Sequence, residues 1–579
     1  MEDRLARVEA RLEDLAQAVD DVARRLAALE DAAGRHTAVA PSAEPEGFAE
    51  MPPPITAASA ATALSLLGRF FLVLGGAWLL RALTDAGTLP LAAGITAGLM
   101  YAGAWVVLAD RAGAAGKRWS AEVHGVTATI IAFPLVWEAA TKFKVASAPV
   151  AAAGLAVIVA GALVVSARRL LPAFAWAATV AGLLTALALA VATRAVTVFA
   201  VLLVAVGIAT VWLAYARRWF GLSWTAAIVA DLVVAEAVAL VTRAGGPPEV
   251  YHGLSTGAVE TVALGLLVAY LATFAVRTLL RRRDASVFEA VQTVAALLVG
   301  LGGAAAVAHT TGSGGIALGI AALVTGVACY LIAEAGAAGG VGHGVNYVFY
   351  STLALVLVLA GSGLLVTAAT LAAVWGALAV AGAVLGCRLD RLVMRAHAAV
   401  YAIAAGGVSG MLAAAVAAFA AAPAAGGLPP AAWVALLAAA GGYAALAALA
   451  PRGEVAWAAR LPELAVAVVA ALGIGAAVVL AGAGLLPVHE GAPEPGALAT
   501  LRSAVLALTA LGLAAAGRRA GRVELAWLVY PVLAVGGLKL LAQDLPQGRP
   551  ATLVLSFVVY GAALILAPRL LRRPAPAAG

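Results

Sequence analysis

The stretch Val150-Ala-Ala-Ala-Gly-Leu-Ala-Val-Ile-Val-Ala-Gly-Ala-Leu-Val-Val165 has no polar side chain, and Ser166-Ala-Arg-Arg169 ends it. A barrel strand would alternate polar and apolar residues, and this run does not. About 20 consecutive apolar residues cross the hydrocarbon core as a helix. In lipid the backbone must satisfy its own hydrogen bonds, which also selects helices. Runs of this kind follow one another from residue 61 to residue 571, about eighteen in all. The spans read as 62–81, 89–109, 120–140, 147–166, 171–191, 196–215, 222–242, 254–275, 287–308, 314–333, 345–363, 367–386, 397–421, 431–450, 461–485, 497–516, 524–542 and 551–570. The expected fold is all-α, a polytopic transmembrane bundle spanning 61–571, with residues 572–579 as a disordered cytosolic tail. The weakest division is between 345–363 and 367–386, only three residues apart.

Composition agrees. Of 579 residues 64% are hydrophobic and 12% charged, about half the usual charged share. The net charge of +7 does not indicate nucleic acid, because the basic residues sit in pairs between apolar runs and form no patch. Four of the 37 basic residues are Lys, which with abundant Ala and Gly reads as a GC-rich bacterial genome. Two cysteines, Cys329 and Cys387, support neither a disulfide framework nor a zinc site. Residues 1–30 are too charged for a signal peptide, so the first apolar run is expected to stay as an anchor.

Residues 1–33 form a separate head. Leu5, Val8, Leu12, Leu15, Val19, Val22, Leu26 and Leu29 repeat at alternating spacings of three and four. That is the seam of a coiled coil, and it makes residues 5–29 a site of self-association. The other reading is one amphipathic helix lying on the membrane domain. Residues 34–60 carry Pro41, Pro45 and Pro52-Pro53-Pro54, a linker without a fold of its own.

Basic residues orient the spans. Connections after even-numbered spans, with the C-terminal tail, hold 22 of them, and connections after odd-numbered spans hold six. The bias places the even connections, both termini and the coiled coil in the cytoplasm. Localisation is expected in the bacterial inner membrane. Trp176, Trp224, Trp457 and Trp527 open odd spans after basic residues. Either two-helix units repeat, or the rings are anchors at the membrane surface.

Two stretches resemble a large bacterial family of multi-pass membrane proteins of unknown function, whose members begin with a coiled coil and a Pro-rich tether. One is Gly68-Arg-Phe-Phe-Leu-Val-Leu-Gly-Gly-Ala-Trp-Leu-Leu-Arg81-Ala-Leu-Thr-Asp85-Ala-Gly87. The other is Leu538-Lys539-Leu-Leu-Ala-Gln-Asp544-Leu, with Arg549 before a last span. The chain departs from the family between Thr88 and Gly98, where no Arg stands. The resemblance implies the architecture and no activity.

Ionisable groups at mid-span cost about 2.5–3.5 kcal/mol on insertion scales and usually face the bundle interior. Candidates for a substrate or ion site are Arg81, Asp85, Glu138, Asp231, Glu236, Glu260, Lys539, Asp544 and Arg549. Most of them fall toward the outer face in the expected topology. Arg69, Glu122, Glu289, Arg502 and Glu524 lie near span starts, where they are expected to snorkel. Arg81 and Asp85 share a helix face. Lys539 and Asp544 are five residues apart, about 140° round a straight helix. They are not expected to pair, and Lys539 is expected to find a carboxylate on another span. No motif for a metal, phosphate loop, catalytic residue or cofactor is present.

Three functions fit. The first is a transporter or flippase-like protein handling a polar or envelope-lipid substrate through an outward-facing polar cavity. The second is an assembly scaffold of the cell envelope, with purely structural charges. The third is an enzyme acting on lipid-linked envelope precursors, which would usually need larger outer loops.

Overall fold

Apolar residues set the helices and short polar or glycine-bearing turns end them. The structure is a computed structural model. It describes residues 75–76, 82, 84, 86–251, 253–336, 344–421, 427–450, 457–489, 492–547 and 549–571. The expected coiled coil, linker and tail lie outside these residues. So do Arg81, Asp85 and all but two residues of the first span.

The described helices are α1 Leu91–Ala114, α2 Arg118–Thr141, α3 Ala148–Arg169, α4 Pro172–Thr193, α5 Val196–Arg217 and α6 Phe220–Thr242. Next come α7 Thr256–Leu280, α8 Val287–Thr311, α9 Gly315–Gly336, α10 Val345–Leu365 and α11 Ala368–Arg388. Then α12 Leu392–Val408 and α13 Met411–Ala420 form a pair bent by 66°. The last are α14 Pro430–Leu449, α15 Leu461–Ala483, α16 Pro495–Ala520, α17 Val523–Asp544 and α18 Pro550–Leu571. Two-residue strands, Val488–His489 and Ala492–Pro493, pair in the turn before α16.

Sixteen helices are long and apolar enough to cross a membrane, and the bent pair makes up to 17. Two contacts show that the pair crosses as a unit. Arg395 at the start of α12 reaches Glu463 at the start of α15. Ala421, just past α13, is held by Arg502 near the start of α16. Both contacts are met only if α12 and α13 together carry the chain from one end of the bundle to the other. The protein is therefore a multi-pass membrane protein with 17 described spans long and apolar enough to cross, the bent pair taken as one. Each matches one expected run, including α10 and α11. The eighteenth, at 62–81, lies outside the described residues.

Large side chains such as Leu232, Val268, Leu437 and Val554 stay more than 60% exposed. In water that surface would be a liability; in lipid it is the solvent-facing coat. The interior is made of Ala, Gly, Leu and Val. Close helix approach depends on glycine in places: a Cβ on Gly361 of α10 would stand 2.8 Å from the Gly319 carbonyl of α9.

Helix directions place the connections 115–117, 170–171, 218–219, 281–286, 389–391 and 521–522 at one end, hereafter the arginine-rich end. Three π-turns interrupt the described helices: Val276–Leu280, Leu297–Gly302 and Leu540–Asp544.

Candidate functional site at a broken helix

The break between α12 and α13 is written in Gly406-Gly-Val-Ser-Gly410. Gly410 adopts φ 76°, a left-handed conformation that favours glycine. The Ser409 hydroxyl donates to the Gly406 carbonyl at 3.2 Å and accepts from the Met411 N–H at 3.3 Å. The chain thus leaves one helix and restarts another inside the bundle. Irregular backbone at this depth is tolerated where protein satisfies it or where it lines a cavity.

The far end of α13 is held by side chains from later helices. Arg502 Nε donates to the Ala418 carbonyl at 2.7 Å, and its Nη2 donates to the Ala421 carbonyl. Gln543 Nε2 donates to the Phe419 carbonyl at 3.3 Å. A cation at the negative end of a helix is favourably placed. Arg502 is 4% exposed, so the expectation that it snorkels is overturned.

Beside it, Lys539 Nζ donates to the Ala499 carbonyl, to Ser503 Oγ at 2.8 Å and to Asp544. Ser503 Oγ donates to the second Asp544 oxygen at 2.6 Å. The ammonium's three protons thus meet three acceptors. The expectation that Lys539 and Asp544 stay apart is overturned. The π-turn Leu540–Asp544 winds more slowly than an α-helix and brings positions five apart onto one face. Both side chains are buried. With Arg502 the cluster carries two cations and one carboxylate, and helix carbonyls supply the remaining acceptors.

The other candidates do not assemble with it. Arg549 pairs with Glu494 at 2.9 Å and is largely exposed. Asp231 on α6 is buried, and both its oxygens accept from Gln292 Nε2 of α8, at 3.0 and 2.9 Å. Asp231 has no counter-cation among the described residues, and Tyr270 Oη is a buried hydroxyl without a hydrogen-bond partner among them. Glu236 is exposed on the same helix, so the two acids face apart. Glu260 is half-buried beside the α8–α9 turn, its Oε1 3.3 Å from where a Cβ of Gly314 would stand. Glu138 is half-buried near the end of α2. Among the described residues no group of three or more His, Cys, Asp and Glu is placed to hold a metal.

At the arginine-rich end the expectation that Glu122, Glu289 and Glu524 snorkel is overturned, and sequence reasoning passed over Glu463. Glu289, Glu463 and Glu524, in the first turns of α8, α15 and α17, are 0% exposed, and Glu122 is buried too. Glu289 pairs with Arg277 and accepts from Tyr215 Oη at 2.6 Å. Glu463 accepts from Arg395 at 2.9 Å, and Glu524 accepts from Tyr443 at 3.3 Å with Arg460 at 3.9 Å. Arg522 caps α14 through the carbonyls of Leu446 at 3.2 Å, Ala447 and Ala450 at 3.0 Å. Glu122 accepts from the Phe174 N–H at 2.6 Å. Costly charges therefore hold both ends of the bundle and do not gather at one face. The available signal was an acid in the first helical turn just after a basic connection, which complements the helix dipole.

No family model, curated protein or solved structure matches the chain.

Proposed function

We propose that the protein is a transporter or flippase-like protein that handles a polar or envelope-lipid substrate, with Lys539 and Asp544 as the pair that parts when the path opens. One observation carries this reading: a broken helix ends beside a π-turn that holds a buried ion pair. Discontinuous helices mark substrate sites in many transporters, and π-turns recur at functional sites. Parting the pair would present an ammonium and a carboxylate to a polar substrate. The Asp231–Gln292 pair offers a second intramembrane carboxyl, able to take a proton or a cation. The arginine bias supports placing the arginine-rich end in the cytoplasm of a bacterial inner membrane, with the broken-helix site toward the outside. Kinship with the uncharacterised bacterial family rests on the two stretches quoted above and is part of the same proposal.

The saturation of Lys539 favours a second reading, a scaffold in which the pair only fixes helix order. The enzyme reading is weaker, because the connections at that end are short.

Solvent access separates the first two. Ser503→Cys, in a chain with Cys329 and Cys387 replaced by Ala, is treated in intact cells and inverted vesicles with a membrane-impermeant maleimide. Transport predicts labelling from one side, accelerated by K539A/D544A. A thiol that stays unlabelled from both sides in both backgrounds would leave only the structural role.

A further inference from the structure

We propose that a pocket at the arginine-rich end, between the ends of α5 and α7 and the start of α6, binds a phosphate mono- or diester. The cavity has a volume of about 440 Å³ and is lined by Ala214, Tyr215, Arg218, Phe220, Arg277, Arg281 and Arg283. It is separate from the broken-helix site and does not depend on the transport reading.

Four arginines line this one space. Arg277 has a counter-charge in Glu289 and stacks on the Tyr215 ring with 4.8 Å to its centroid. Arg281 stacks on Trp212 at 4.8 Å and pairs with no carboxylate among the described residues. Arg218 and Arg283 likewise pair with none, and Asp284, the acid in the same connection, makes no ion pair there. Like charges brought together repel, so a lining of this kind is completed by an anion. Arg binds phosphate oxygens through two parallel N–H donors, a geometry Lys lacks. The aromatic stacking fixes two of the four forks in advance and lowers the ordering cost of binding. Arg218, Arg281 and Arg283 are exposed, as are the unpaired Arg518 and Arg519 at the same end, but the latter two line neither this cavity nor the apolar groove described next.

An apolar groove of about 400 Å³ also borders α7, along Leu264, Val268, Leu271, Ala275 and Leu279. It lies on the other face, since Leu279 stands two residues past Arg277 in the π-turn, about 160° round the helix. The pocket is therefore built for the phosphate group and has no acyl slot of its own. A lipid headgroup and a soluble phosphate compound present the same chemistry.

Two arms tell these sources apart on the full-length protein. Native mass spectrometry after release from nanodiscs compares phosphatidylglycerol with phosphatidylcholine. Thermal shift in neutral detergent titrates inorganic phosphate and pyrophosphate. A lipid source gives selective retention of phosphatidylglycerol, and a soluble source gives a saturable rise in melting temperature with pyrophosphate. Either response should weaken about tenfold or more in R218Q/R283Q, and not in the control R518Q/R519Q, which loses the same charge. Should R218Q/R283Q melt early without ligand, R281Q alone replaces it. Absence of both responses in the wild type, or equal weakening in both double variants, would overturn the proposal.

Discussion

Charge burial decides most of what single residues do in this protein. Removing one partner of a buried ion pair leaves the other charge in low dielectric, at a cost of about 3–5 kcal/mol. K539A and D544A should each lower the melting temperature in detergent and the amount of protein in the membrane. Replacing both with Leu should recover most of that loss; a double variant as unstable as either single would show that the pair is not the stabilising unit. Glu463→Gln should likewise destabilise, because it strips Arg395 of its counter-charge. Asp231→Asn should not. That carboxyl has an amide partner and no cation, so losing its charge removes a desolvation cost. A melting temperature at or above wild type is expected, and a clear drop would mean that an undetected cation holds Asp231.

Single elements show what could be read in advance. Gly410 makes the bend between α12 and α13, and an L-residue in that conformation costs about 1–2 kcal/mol. Gly410→Val should therefore lower the melting temperature, whereas the same change at Gly407, where a Cβ meets nothing within 4 Å, should matter less. The break was legible in Gly406-Gly-Val-Ser-Gly410, yet the stretch also reads as one apolar span, because hydropathy does not register direction. The π-turn was not legible. Five-residue spacing on a straight helix puts Lys539 and Asp544 on different faces, and only packing against Ser503 and Ala499 shows that the helix winds differently there. The first-turn acids failed for the same reason. An acid near a span start snorkels or is buried according to whether another helix brings an arginine to it, and that partner lies far away in sequence.

For the whole molecule, the apolar runs were enough to place all 17 described spans, because each is about as long as a bilayer needs or longer and is closed by turn residues. What they could not supply is which helices touch. An odd number of crossings puts residues 87–90 and the end of α18 on opposite faces of the membrane. A protease site inserted after Gly87 and a reporter fused after Arg573 should report opposite sides, with Arg573 cytoplasmic. Finding both on one side would break the count, and the reversed order would break the orientation.

The capping of α13 and α14 also has a consequence in time. The carbonyls of Ala418 and Ala421 wait for Arg502, and those of Leu446, Ala447 and Ala450 wait for Arg522. Each partner is synthesised some 70 to 85 residues after the carbonyls it covers. A nascent chain that has inserted α14 therefore holds raw helix ends in the bilayer until the ribosome has made α16 and reached Arg522. Chains released early, for instance at Glu494, should be recognised as unfinished and degraded, so that quality control on this protein is exerted by its final quarter.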